Sequence, residues 1–447
     1  MTQPIIAIVG RTNVGKSTLL NRLAGRRIAV VADLPGTTRD RVFAFVSWRA
    51  HELTVIDTGG WPANPQSDLE HQIRRQVWTA IEQADIIVFM TDARDGVIGA
   101  DEEIADLVRR AGKPTVLAAN KVDTAWQQSH VADFYRLGVG TPLPVSAYHN
   151  RGIDDLMDAI LAQLPPPTAA APDSTRPRLA IVGRPNVGKS TLLNSLRGDE
   201  RAIVHEAPGT TRDSLDAVLR KNDREFLLID TAGIKRRGRV GSGVDYYSLL
   251  RSLQSINRCD VALLVIDAGE FVTAQDMHVA GYVTELGKGM LLIVNKWDLM
   301  PKEYRDSFKR SLQQRLRFVS YVPVLYTSAR IAQGMDEILP EAWRVWEERQ
   351  ERFPRSEVDA AVKEAVSSHP PPRTGSRPLR VSGAYQEDAR PASFVVQVND
   401  PHLVHFSYER YLENQLRRRF GFRGVPLRVT FSSVRRGGRR KLKAVKT

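Results

Sequence analysis

The 447-residue chain has a single cysteine, Cys259, so no intramolecular disulfide can form. Long apolar runs are also missing. The first apolar stretch, Ile5–Val9, is far too short for a membrane span or a signal peptide. Both absences point to a cytoplasmic protein. An acidic excess is absent too, with 64 Lys+Arg against 51 Asp+Glu. At 26% charged and 42% hydrophobic residues, wholesale disorder is excluded. The length suits roughly two to four domains.

The positive charge is concentrated at one end. From Glu351 onward there are 20 basic and 9 acidic residues, a balance of +11 out of the total +13. A nearly neutral body with a basic final quarter implies a polyanionic partner for that quarter, with nucleic acid foremost. The alternative is a tail kept basic for solubility.

Most of the chain is written twice. GRTNVGKSTLLNRL begins at Gly10 and GRPNVGKSTLLNSL at Gly183, an offset of 173 that PGTTRD (Pro35–Asp40, Pro208–Asp213) and IDTGG/IDTAG (Ile56–Gly60, Ile229–Gly233) share. NKVD (Asn120–Asp123) recurs as NKWD (Asn295–Asp298) at an offset of 175, and VSA (Val145–Ala147) as TSA (Thr327–Ala329) at 182. This is a duplicated domain. Short apolar runs such as Ile86–Thr91, Thr115–Ala119, Val261–Ile266 and Met290–Val294 alternate with helical stretches. The pattern predicts an α/β fold, twice over: a mostly parallel sheet with helices on both faces and function at the carboxyl ends of the strands. The expected organisation is a first domain at 1–164, a Pro/Ala-rich linker at 165–177, a second domain at 178–352, an α+β domain at 353–434 and a basic tail at 435–447.

GxxxxGKS at Gly10–Ser17 and Gly183–Ser190 has P-loop spacing. Its glycines let backbone N–H groups wrap a phosphate chain at the start of a helix. The cradle is Gly10, Arg11, Thr12, Asn13, Val14 and Gly15 in one copy, and Gly183, Arg184, Pro185, Asn186, Val187 and Gly188 in the other. Lys16 and Lys189 neutralise the β- and γ-phosphates, while Ser17 and Ser190 offer hydroxyls to Mg²⁺. Asp57 and Asp230 close apolar strands and can hold the same metal through water. They open the segments Asp57, Thr58, Gly59, Gly60, Trp61 and Asp230, Thr231, Ala232, Gly233, Ile234, in which the Gly60 and Gly233 N–H groups sense the γ-phosphate. Between these motifs Thr38 and Thr211 are the expected threonine ligands, with Thr37 and Thr210 as alternates.

The base is read by Asp123 and Asp298. A carboxylate accepts from guanine N1–H and its exocyclic amine, a pair adenine does not offer, so the nucleotide is GTP. Asn120, Lys121 and Val122, and Asn295, Lys296 and Trp297, brace that loop and cover the ring. Ser146–Ala147 and Ser328–Ala329 are expected to present a backbone N–H to the guanine oxygen.

Two such domains followed by a small basic one resemble the Der (EngA) family of bacterial tandem GTPases, and the stretch His405–Arg428 is similar to that family's final domain. The resemblance spans essentially the whole chain. It implies a KH-like third domain and a role in maturing the large ribosomal subunit, with that subunit and its rRNA as partners. A monomer with no DNA partner and no membrane span is expected. Support of an RNA-modifying complex and an RNA scaffold with little turnover are the competing readings. Many small GTPases place a glutamine where Trp61 and Ile234 stand. The resemblance implies a class that uses K⁺ instead, held partly by Asn13 and Asn186; the alternative is that these asparagines only brace the neighbouring switch.

In the third domain the sequence predicts a helix, two strands, a helix and a strand. GFRG, Gly421–Gly424, then falls between a helix and a strand, whereas a KH clamp joins two helices. It reads as a helix stop and turn, leaving RNA contact to Arg417–Arg419, Arg423 and the tail. Cys259 reads as a small core residue, and Trp343 and Trp346 as packing on one helix face. The run Ile234–Arg239 reads either as a solvated loop or as an RNA contact.

Overall fold

Strand β1 (Ile5–Val9) sends its apolar residues alternately to opposite faces. Ile6 and Ile8 join a buried cluster with Leu19, Leu20 and Leu23, whereas Ala7 and Val9 join another with Val77, Ile81, Ile104 and Val108. Both faces of its sheet are therefore covered by helices. The spatial order is β2 (Ala29–Ala32), β3 (Arg41–Trp48), β4 (His51–Asp57), β1, β5 (Ile86–Asp92), β6 (Thr115–Asn120), β7 (Pro142–Pro144). The hairpin pairs β2–β3 and β3–β4 are antiparallel, and the other four pairings are parallel. Chain order reverses direction at β1, and open α/β sheets bind ligands at such a switch point.

The computed structural model describes residues 4–25, 29–32, 41–49, 51–62, 67–164, 175–198, 203–206, 216–231, 245–371, 378–387 and 392–433. It forms two compact units, Met1–Pro172 and Asp173–Thr447. No helix among the described residues is long and apolar enough to cross a membrane.

The second unit repeats the first sheet. Its order is β9 (Ile203–Glu206), β10 (Ala217–Lys221), β11 (Arg224–Ile229), β8 (Arg178–Val182), β12 (Val261–Asp267), β13 (Gly289–Asn295), β14 (Val324–Tyr326), again with an antiparallel β9–β10–β11 edge. The same unit carries a three-stranded sheet, β15 (Val381–Glu387), β16 (Ala392–Val398) and β17 (Leu427–Ser433), under the helices Arg355–Ser368 and Phe406–Phe420. Leu263, Leu291 and Val345 share one buried cluster with Val358, Phe394, Leu412 and Phe422, so the KH-like portion and the second nucleotide domain have a continuous core.

Gly421–Gly424 is the hinge of that fusion. It follows the helix Phe406–Phe420 as a turn, with Gly421, Phe422 and Gly424 at φ 88°, 64° and 72°. The turn's backbone then bonds the nucleotide domain: Gly424 N–H donates to Tyr321 O at 2.9 Å, and Met290 N–H to Gly424 O at 2.8 Å. A Cβ at Gly424 would lie 2.6 Å from Val345 Cγ2, so only glycine fits here. One expectation needs correcting. Arg417 is not a free cation for RNA: its side chain is 15% exposed, lies 3.9 Å over the Tyr321 ring and donates to Phe422 O and Val425 O. Arg423 pairs with Glu341 at 2.9 Å, while Arg418 and Arg419 are exposed. Cys259 is fully buried, and burial pushes its thiol up to about 11. Trp343 and Trp346 pack 4.9 Å apart against the core.

Candidate nucleotide sites

Each P-loop leaves the carboxyl end of a central strand and turns directly into a helix. Gly15 and Gly188, at φ 100° and 97°, enter the helices Lys16–Ala24 and Lys189–Gly198. Asn13 and Asn186 both take φ 66°, bending the loop, and both are exposed. Val14 and Val187 anchor the loop in the core, whereas Thr12 and Pro185 are exposed. A Cβ at Gly10 or Gly183 would strike the carbonyl of Met90 or Val265, so the loop lies tight against the next strand. Lys16 donates to Arg11 O at 2.8 Å, and Lys189 to Gly183 O at 2.7 Å. Burial lowers Lys16 to about 8 against the pull of Asp57. That desolvated ammonium has much to gain from a polyphosphate.

Ser17 Oγ donates to Asp57 Oδ2 at 2.5 Å, bringing the two proposed Mg²⁺ ligands together. Asp57 Oδ1 is buried with no hydrogen-bond partner, and burial raises the carboxyl's pKa despite Ser17 and Lys16. An orphaned carboxylate oxygen beside a hydroxyl is the donor set a hard divalent cation takes, so these residues fit Mg²⁺. Thr58 donates to Ile8 O and Trp61 N–H to Gly10 O, laying Asp57–Trp61 along the P-loop. Gly60 passes so close that a Cβ would lie 2.8 Å from Thr12 Cα, and Gly59 is half-buried beside it. Trp61 does not line the site. It is 6% exposed, its indole N–H donates to Glu103 at 3.1 Å and Arg74 covers its ring. In the second copy Asp230 takes φ 55°, its N–H donates to Asp216, and its carboxylate accepts from Ser255 at 3.3 Å. Ser190 is exposed there, and Thr231 accepts from Arg197 at 3.4 Å. Thr37, Thr38, Thr210, Thr211, Ala232, Gly233 and Ile234 lie outside the described residues, as does the run Ile234–Arg239.

The base loops show the tightest agreement between copies. Asn120 Nδ2 donates to Val14 O at 2.7 Å and its Oδ1 accepts from Ala147 N at 3.0 Å; Asn295 does the same with Val187 O and Ala329 N, both at 3.0 Å. One amide thus ties three motifs together. Lys121 and Lys296, at φ 66° and 62°, pair with Asp92 and Asp267 at 2.5 and 2.6 Å. Val122 and Trp297 are buried behind the loop. Asp123 accepts from Ser146 Oγ at 2.6 Å, which holds its carboxyl below the usual range, with Arg94 adding to the effect. Asp298 is exposed. Asp123, Ser146, Gly15, Thr18 and Tyr148 border a cleft of about 350 Å³.

At both serine–alanine pairs the backbone N–H groups have partners within the protein. Ser146 and Ser328 N–H donate to Arg151 O and Gln333 O, and the alanine N–H groups serve the asparagines. Motif reading also missed a clamp on each P-loop. Arg11 meets Asp95 at 2.6 Å and Asp101 at 3.6 Å, and Arg184 meets Glu270 at 2.7 Å and Asp276 at 2.9 Å. Filling in the repeat alignment between the IDTGG/IDTAG and NKxD motifs would have found it, because all three positions carry the same charges in both copies.

Comparison with known proteins gives the same picture. The family model described as 50S ribosome-binding GTPase matches residues 5–121 and 178–296. Residues 352–432 match one described as KH-domain-like of EngA bacterial GTPase enzymes, C-terminal. Fold, paired sites and these matches define a P-loop GTP hydrolase with two nucleotide domains in tandem and a KH-like third domain; GTP, typically with Mg²⁺, goes with that class. GTPase Der of Moorella thermoacetica is 45% identical over 442 residues, covering 98% of this chain and 100% of that protein. GTPase Der of Chloroflexus aggregans is 45% identical over 446 residues, covering 98% and 99%. The chain belongs to the GTPase Der family. Among solved structures, Aquifex aeolicus Era Y63A bound to GDP·AlF₄⁻ is 24% identical, covering 63% of this chain and 99% of that one, with a TM-score of 0.34.

Proposed function

We propose that the protein hydrolyses GTP to GDP and phosphate at both sites and uses the cycle to bind and leave maturing large ribosomal subunits. It does so as a cytoplasmic monomer whose nucleic-acid partner is rRNA. The observation that carries the two-site reading is the Asn120 and Asn295 bracket, which aligns phosphate cradle and base reader identically in each copy. The ribosomal half is supported by the basic final quarter and by the family description.

In this reading the P-loop N–H groups seat the phosphates, and Lys16 and Lys189 offset their charge. Ser17, Thr38 and Asp57 would hold Mg²⁺ at one site, and Ser190, Thr211 and Asp230 at the other; when bound, the ion would supply positive charge against that of the phosphates. Gly60 and Gly233 orient the γ-phosphate, and Asp123 and Asp298 select guanine. Asn13 and Asn186 would hold K⁺, which would supply positive charge toward the transition state.

Turnover should therefore be much faster in KCl than in NaCl at matched ionic strength. Equal single-turnover rates in the two salts would remove K⁺ from the reaction. Sedimentation with purified large subunits, in a GTP analogue and in GDP, tests the ribosomal half; nucleotide-independent or absent association would refute it. Removing Arg435–Thr447, which carries seven basic residues, should leave both nucleotide sites intact. The slope of log affinity for the subunit against log salt should shrink by roughly 2–4. An unchanged slope would make that tail a solubility device.

A further inference from the structure

The base-reading carboxylate of the first copy already has a planar donor group on it. Arg94 Nη2 lies 2.6 Å from Asp123 Oδ2, while Ser146 Oγ occupies Oδ1. Asp92 and Asp267 align at the same offset of 175 as the NKxD motifs, so the residue two positions on, Arg94, corresponds to Gly269. The second copy therefore has no side chain at this place. Ser328 Oγ, which corresponds to Ser146 Oγ, is buried there without a hydrogen-bond partner.

We propose that Arg94 is a built-in competitor for guanine, an affinity-setting residue that makes the first site bind and load nucleotide less readily than its own cradle allows. The proposal rests on Asp123 as guanine reader. Guanine offers that carboxylate two N–H donors side by side in one plane, N1–H and the exocyclic amine. A guanidinium offers the same planar pair of donors. Incoming base must take the carboxylate's lone pairs from Arg94. The cost is modest because the Arg94 side chain is 55% exposed and can turn into water, whereas Asp123 is 16% exposed and stays. Arg94 also keeps its place when displaced: its backbone N–H donates to Asp92 Oδ1 at 2.9 Å. The competition involves only the base, so GDP and GTP must feel it equally.

The test uses the full chain carrying Arg94→Gly, with Asp298→Asn in the background to keep guanine nucleotides off the second site. Kd and association rate are measured for fluorescent GDP and a GTP analogue. The expected result is tighter binding by about three- to tenfold, the same factor for both nucleotides and with most of the gain in association rate. Raising salt should narrow the gap between parent and variant, since it screens the ion pair. In the reverse variant, Gly269→Arg, an ordinary Cβ fits, with its nearest neighbour 3.4 Å away, and second-site affinity should fall. Unchanged or weaker binding by a folded Arg94→Gly protein would overturn the proposal, as would unequal factors for GDP and GTP. If Asp123→Asn fails to weaken GDP, the guanine-reading assignment itself falls. If that variant weakens GDP and Arg94→Gly does nothing, only the competitor role falls.

Discussion

Xanthosine triphosphate should replace GTP as the preferred ligand of the first site once Asp123 is changed to asparagine. The parent carboxylate offers acceptors only, and its lowered pKa keeps it ionised across the working range. Asparagine keeps one oxygen for Ser146 Oγ but turns an N–H₂ group toward the base, where guanine presents donors. Xanthine has an oxygen in place of the exocyclic amine and receives that donor. Sites that read hydrogen bonds in this way discriminate by about 10⁴–10⁵, so the loss of GTP affinity should be of that order. Asp298→Asn should repeat the switch at the second site. Titrating each variant with both nucleotides settles it: undiminished GTP binding together with indifference to xanthosine triphosphate would mean the base is read elsewhere.

The largest effect on stability is expected at Asp260. This carboxylate lies just before β12, is 4% exposed, and accepts from Arg178 N, Nε and Nη2 at 3.0–3.1 Å and from Arg349 Nη1 at 2.9 Å. Arg349 is itself 6% exposed. Asp260→Ala would take one buried counter-charge away from both Arg178 and Arg349, at a cost of about 3–5 kcal/mol to the second unit. Asp85 holds the aligned place in the first unit, but it is exposed and serves only Ile5 N–H at 2.7 Å among the contacts seen. Asp85→Ala should cost about 1 kcal/mol. Urea unfolding of the two variants compares the costs, and equal midpoint shifts would contradict the argument. The pH dependence has a definite sign. Burial alone would raise the Asp260 pKa, but the Arg178 hydrogen bonds and both arginine charges outweigh it, and the pKa is lowered. The stabilisation is therefore complete above the unfolded carboxyl's value near 4 and is lost as pH falls through the lower folded value.

The sheets, the P-loops and the base loops were legible because they are local words repeated at fixed offsets, and because short unbroken apolar runs announce buried strands. What escaped was non-local. Arg11 and Asp95 are 84 residues apart, and Arg94 and Asp123 are 29 apart; no periodicity connects such partners. The bond from Ala147 N–H to the Asn120 amide oxygen, across 27 residues, was equally invisible to motif reading. Arg417 looked like part of a basic patch when only charge was counted. In space it is a flat cation between an aromatic ring and two carbonyls, and its charge is spent inside the fold. Trp61 occupies the place of a catalytic glutamine in the sequence, but its large apolar ring is buried in the core with Val77, Ile81 and Phe89.

The turn at Gly421–Gly424 bears on how this architecture can be inherited. Here Val358, Phe394, Leu412 and Phe422 share a core with Val345 and Leu291, and Gly424 lends a carbonyl to Met290 at the start of β13. A gene fusion that moved residues 353–433 alone would carry away a greasy scar and leave another behind, each inviting aggregation. Recombination should therefore trade the nucleotide domain and its basic companion as a single heritable piece, with the break falling in the linker before Arg178.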